Sequence, residues 1–93
     1  MKYTLDNLKF PVVAIGTQMI DAEVNFQNHT VLFKSRKSFN EFLGETEQIT
    51  SDMYGEYMKK EVKSYENCVE LYYHDGTDGA YERWRIYPIN NQH

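Results

Sequence analysis

Two alternating runs, residues 68–74 (Cys-Val-Glu-Leu-Tyr-Tyr-His) and 81–87 (Tyr-Glu-Arg-Trp-Arg-Ile-Tyr), flank the turn sequence Asp75-Gly76-Thr77-Asp78-Gly79. Side chains alternate faces along a strand and Asp-Gly pairs suit tight turns, so the segment predicts a β-hairpin. Val69, Leu71, Tyr73, Trp84 and Ile86 fall on one face, which is apolar enough to be core. Glu70, Tyr72, His74, Tyr81, Arg83, Arg85 and Tyr87 fall on the other. That second face carries more aromatic surface than solubility requires. A four-residue loop from Gly76 to Gly79 would set Glu70 opposite Arg85, Leu71 opposite Trp84, Tyr72 opposite Arg83 and Asp75 opposite Ala80. A two-residue turn at Asp78-Gly79 would shift the partners and keep both faces.

The rest of the chain has to complete this sheet. Residues 10–20 are the most apolar stretch, rich in β-branched side chains, with Pro11 at the start. That composition predicts an N-terminal strand in which Gly16 marks a bend or bulge. Residues 22–27 and 30–34 alternate around Asn28-His29, which predicts a second hairpin turning at that pair. Ser38 with Glu41 matches a capping box and opens a helical pattern, with apolar residues at 39, 42, 43, 49, 53, 54, 57, 58, 62 and 65. Either one helix spans 39–65, or a first helix stops in 44–50 and a second starts at Thr50 or Ser51. Gly44 and the cap-forming Thr50 and Ser51 favour the break. Lys59, Lys60 and Lys63 would then lie at the helical C-terminus, where cations complement the dipole. Residues 90–93 read as a tail.

The expected fold is therefore α+β. An antiparallel sheet of about five strands (two hairpins plus an N-terminal strand) carries one long or two shorter helices on one face. Residues 1–93 form a single domain. A chain of this size buries only about 60–65% of its unfolded surface, so a homodimer would add stability. Its 41% hydrophobic and 15% aromatic content excludes disorder as the expectation.

Net charge −4 argues against a non-specific nucleic-acid binder, which needs a broad cationic surface. A single cysteine, Cys68, fits a reducing compartment. With no apolar leader at residues 1–7 and no apolar run of about 20 residues, the expected location is cytoplasmic, with no membrane partner.

Chemistry is sparse. His29, His74 and His93 lack zinc-ligand spacing, and Asp75 to Gly79 lacks the further ligands of a calcium loop, so no metal or cofactor is expected. His74 beside Asp75 and Glu82 is the one candidate acid–base pair, but neighbours on a strand point to opposite faces, so His74 and Asp75 do not converge. No enzyme motif remains. Arg36 and Lys37, with Lys34, form a basic cluster before the helix, but no glycine-rich cradle accompanies it, so a surface loop explains it.

Two surfaces are left. Tyr72, Tyr81, Arg83, Arg85 and Tyr87 are the first candidates for a partner contact, because Tyr and Arg bring large contact area with few wasted degrees of freedom. A solvated face held by cross-strand pairs explains them equally simply. Residues 38–58 hold five acidic and no basic residues. On a continuous helix Glu41, Glu45, Asp52 and Glu56 lie within about 60° of each other, a stripe suited to a basic protein surface. An ordinary solvated helix face would look the same. The chain is thus expected to be a small acidic binding protein, an inhibitor or adaptor whose partner is another protein. In size and charge only, it resembles small viral proteins that block host defences. The alternative is a nucleotide- or single-stranded-nucleic-acid-binding module that stacks bases on the Tyr/Arg face.

Overall fold

The computed structural model describes residues 2–20, 23–76 and 81–89. Five strands form one antiparallel sheet: β1 (Val12–Ile20), β2 (Glu23–Phe33), β3 (Lys59–Ser64), β4 (Val69–His74) and β5 (Tyr81–Pro88). They lie in the order β2-β1-β5-β4-β3. One helix, α1 (Arg36–Tyr54), packs on the sheet and ends in a 3-10 turn at Gly55–Tyr57. The fold is α+β.

The route of the chain explains which face is covered. β2 and β3 are the two edges of the sheet and point the same way, since every neighbouring pair is antiparallel. The chain must therefore cross the whole sheet between them, and α1 is that crossing. It needs an apolar stripe facing the strands, and Phe39, Thr46 and Thr50 are buried with Phe42 and Leu43 beside them. Phe39 and Phe42 meet Phe33 at ring separations of 5.6 and 4.9 Å, and Phe42 meets Trp84 edge-on at 4.9 Å. Below them lie Val12 and Ala14 of β1, Val69, Leu71 and Tyr73 of β4, and Trp84 and Ile86 of β5. The apolar face of the C-terminal hairpin is the floor of the core.

Gly16 does not bend β1. It sits in register opposite His29 and Trp84, and the bulge comes later, between Gln18 and Ile20. A Cβ at Gly16 would fall 2.6 Å from the Trp84 ring, so the missing side chain makes room for the indole.

The middle of the chain differs from the expectation. β2 runs without interruption through Asn28 and His29, so no hairpin turns there. Its partner is β1, and the N-terminal strand is itself half of the first hairpin. The second sheet half is the three-stranded succession β3-β4-β5 rather than a lone hairpin. α1 continues through Gly44 and Thr50. Gly44 faces open space, and Thr50 donates its hydroxyl to the carbonyl oxygens of Thr46 (2.9 Å) and Glu47 (3.1 Å) inside the helix. The cost of one exposed glycine, about 1 kcal/mol, is outweighed by the buried Phe39–Thr50 stripe.

The helix also starts earlier than the capping box implied. Ser35 is the N-cap and accepts from the Ser38 N–H, while the Ser38 hydroxyl donates to the Ser35 carbonyl oxygen. At the other end, no second helix continues through 59–65. Residues 59–64 form edge strand β3, and Lys59, Lys60 and Lys63 belong to it. None of its residues is buried, so it has no period-two hydrophobic signal to betray it. Residues 77–80 of the expected loop, including the Ala80 partner of Asp75, and the tail from Asn90 lie outside the described residues.

Before β1, residues 2–11 lie along the core edge, with Leu8 buried and Tyr3, Leu5 and Phe10 packed against the cluster. Arg36 ties them down. Its guanidinium donates to the carbonyl oxygens of Leu5 (2.6 Å), Asp6 (3.2 Å) and Leu8 (3.0 Å) and sits 4.8 Å from the centre of the Phe10 ring. The basic cluster before the helix is thus a structural clamp at Arg36. Among the described residues, no helix is long and apolar enough to cross a membrane.

Candidate functional site

With α1 on the Val69, Leu71, Tyr73, Trp84 and Ile86 side, no helix among the described residues lies on the opposite side of the sheet. Strand register builds it in rows. Leu32, Val13 and Tyr87 stand side by side; the next row is Thr30, Ile15, Arg85, Glu70 and Lys63. Thr17, Arg83, Tyr72 and Glu61 follow, then Tyr81, His74 and Lys59. The pairs Glu70–Arg85, Leu71–Trp84 and Tyr72–Arg83 are those of the four-residue-loop alignment. Tyr72, Tyr81, Arg83, Arg85 and Tyr87 therefore share one open face.

Glu70 organises its centre. It is only 4% exposed although it stands on the open side, because the two arginines lie over it. Its Oε1 accepts from Arg85 Nε at 3.1 Å, and Arg83 Nε lies 3.5 Å from the same oxygen, an ion-pair contact without hydrogen-bond geometry. The Arg83 and Arg85 side chains are 41% and 53% exposed. A shared buried carboxylate therefore holds two guanidinium groups in place while leaving each partly in solvent. Hydrogen bonding with Glu70, which accepts from its Nε, and with Tyr87 pushes the Arg85 pKa further up.

Aromatic contacts extend the array. The Arg83 guanidinium lies 4.7 Å from the Tyr72 ring centre and 5.4 Å from that of Tyr81. Tyr72 stacks on His74 at 4.6 Å, and His74 Nε2 meets Glu61 Oε2 at 2.7 Å. Each large side chain is braced by a neighbour. Two hollows open beside Arg85 and Tyr87. One, about 310 Å³, is lined by Ile15, Thr17, Arg83, Arg85 and Tyr87. The other, about 150 Å³, is lined by Tyr65, Asn67, Cys68, Arg85 and Tyr87. Cys68 is buried, and burial pushes its thiol pKa up, against the pull of Arg85 and Tyr87.

Sequence reasoning left out several members of this face. Lys59, Glu61 and Lys63 enter it only because 59–64 is a strand. Ile15 and Thr17 enter it because β1 pairs with β5. Pairing between segments far apart in the chain leaves no local signal.

The acidic surface is partly assembled. Glu41, Glu45 and Asp52 are exposed on α1, with Asp52 accepting from Gln48 Nε2 at 3.0 Å. Glu56 is exposed but belongs to the 3-10 turn, beyond the helix end. At about 100° per residue Phe39, Thr46, Met53 and Tyr57 fall opposite this stripe; Phe39 and Thr46 are buried, while Met53 and Tyr57 are exposed.

On the covered side, Glu82 stands apart. Burial pushes its carboxyl pKa up, against the pull of the Trp84 indole and of His29. Burial, with Glu47 and Glu82 nearby, also raises the Tyr73 phenol well above its usual range. Among the described residues no three of His, Cys, Asp and Glu converge as metal ligands.

No protein-family model, no curated protein and no solved structure matches this chain. Fold and surface together define a small α+β protein with a braced tyrosine–arginine face.

Proposed function

We propose that the protein acts by binding another protein through the open face of the sheet, as an inhibitor or adaptor. The observation that supports this is the array Arg83–Tyr72–Tyr81–His74, with both arginines anchored on Glu70, on the side α1 does not cover. Side chains already held in place lose little conformational freedom on docking, which is what distinguishes a strong contact patch from an ordinary solvated face. Affinity capture of the tagged protein from its native cells is the test. One stoichiometric protein partner is expected, lost on Tyr72→Ala or Arg83→Glu with the fold intact by circular dichroism. A partner retained by both variants would refute this face.

The exposed Glu41, Glu45 and Asp52 support a second docking mode, against a basic protein surface. It predicts capture that weakens between low and moderate salt and is lost on Glu45→Lys with Asp52→Lys. The nucleic-acid reading has less behind it. The Tyr72 ring already stacks on His74 and receives Arg83, so its faces are occupied, and Glu70 neutralises part of the positive charge. Titration with RNA, single-stranded DNA and nucleotides, read by tyrosine fluorescence because Trp84 is buried on the helix side, should stay flat.

A further inference from the structure

The groove between β1 and β5 carries a more specific reading, which rests on the open sheet face being the docking surface. Its walls are Ile15, Thr17, Arg83, Arg85 and Tyr87, and its volume is about 310 Å³, the room of one or two side chains rather than of a folded element. Both arginines meet Glu70 through Nε, and Arg85 is also hydrogen-bonded to Tyr87, yet the Arg83 and Arg85 side chains stay 41% and 53% exposed, so an anion in the groove can reach both guanidinium groups.

Charge then selects the acceptor. Two guanidinium groups less one buried carboxylate leave the groove with one positive charge, and Lys63 and Glu61, one strand further out in the same two rows, offset each other. A monoanion closes that balance. A phosphate dianion would overshoot it, and a phosphodiester chain would bring further negative charge to a protein of net charge −4. One side of the groove is apolar as well. Ile15 and Leu32 are exposed large hydrophobic residues on the same face, with Val13 between Leu32 and Tyr87 in register.

We propose that this groove receives a single carboxylate from an acidic side chain of the protein partner, with a large apolar side chain next to it laid on Val13, Ile15 and Leu32. The guanidinium forks bind the carboxylate oxygens, and the apolar neighbour removes exposed hydrocarbon from water. Selectivity follows from the single net charge of the site. A neutral amide in the same position offers only one acceptor oxygen and no charge.

The test is side-chain and backbone NMR of the isotope-labelled protein titrated with degenerate mixtures of short synthetic peptides. One mixture carries Glu-Leu at its centre, a second Gln-Leu, a third phosphoserine-Leu, and oligothymidylate is the fourth probe. The Glu-Leu mixture is expected to shift the Arg83 and Arg85 Nε–H signals and the Ile15 and Tyr87 amides, with the Gln-Leu mixture roughly tenfold weaker. Arg85→Gln should abolish the response while the buried Leu71 and Trp84 signals keep their positions.

Equal binding of Glu-Leu and Gln-Leu, preference for phosphoserine or oligothymidylate, or an absence of shifts with Glu-Leu would overturn the proposal. A captured partner that needs Tyr72 but ignores Arg85→Gln would also overturn it, and would leave the protein-binding reading standing. A partner that ignores both Tyr72→Ala and Arg83→Glu would remove the face altogether.

Discussion

At the scale of single residues, two positions show how closely packing and charge constrain this chain. Gly16 supports the Trp84 indole, with ring atoms 2.6 and 2.7 Å from where a Cβ would sit. Gly16→Ala must displace a ring locked between β1 and Phe42, so a loss of about 1–3 kcal/mol is expected in denaturant unfolding. A change within error would mean that the indole is free to move. Glu82 makes a prediction about pH. Burial raises its folded-state pKa above the unfolded value, so the folded protein holds this proton to higher pH than the unfolded chain does. Its stabilising contribution is complete below the unfolded carboxylate pKa and is lost as pH rises through the folded one. Glu82→Gln should therefore raise Tm at neutral pH and converge with the parent at acid pH. Thermal scans across that range check it, and a lower Tm for the variant at neutral pH would contradict the sign.

At the scale of elements, the N-terminal segment and α1 depend on one side chain. Arg36 serves three carbonyl oxygens of residues 5–8 and the Phe10 ring at once. Charged hydrogen bonds contribute about 1.5–3 kcal/mol each, though not additively, so Arg36→Ala should cost roughly 2–4 kcal/mol. Arg36→Lys should recover little of this, since an ammonium cannot span three acceptors with a planar fork. Chemical denaturation of both variants, with proteolysis reporting release of residues 2–11, measures the effect. The elements also show why reading the chain locally succeeded at one end and failed in the middle. The C-terminal hairpin has clean two-residue alternation, so both faces were legible, while the Glu70–Arg85 register was one of two that the turn sequence allowed. β3 has the sequence Lys-Lys-Glu-Val-Lys-Ser with no buried residue, and the apolar positions around it suit a helix as well as a strand. It becomes a strand because β4 offers it a row of hydrogen-bonding partners, from Lys59 opposite His74 to Ser64 opposite Val69. Asn28-His29 resembled a turn, yet β1 opposite it is long enough to pair straight through.

At the scale of the whole molecule, charge is sorted by side. On the open sheet face Lys59, Lys63, Arg83 and Arg85 outnumber Glu61 and Glu70, although the chain as a whole is acidic. The outer helix surface carries Glu41, Glu45 and Asp52. An asymmetry of this kind orients an approaching partner before contact and makes association sensitive to salt. Protection against hydrogen exchange should follow the sheet order. Amides of β1, β5 and β4, flanked on both sides, should exchange slowest, and those of edge strand β3 fastest among the strands. Slow exchange in 59–64 with helical chemical shifts would contradict the strand.

The sequence by itself determined the class of fold, the inward set Val69, Leu71, Tyr73, Trp84 and Ile86, and the membership of the Tyr/Arg row. These follow from the two-residue period of strands, which acts within a few residues along the chain. Only the tertiary structure decided that Arg36–Tyr54 is a single helix, that 59–64 closes the sheet, and that Ile15, Thr17, Lys59 and Glu61 join the open face. Those outcomes come from hydrogen bonds and burial between segments that are distant in sequence. The covered side was settled in the same way. α1 must cross from β2 to β3, and its buried Phe39 and neighbouring Phe42 find matching apolar surface on the Trp84 side, leaving the side held together by Glu70 to solvent.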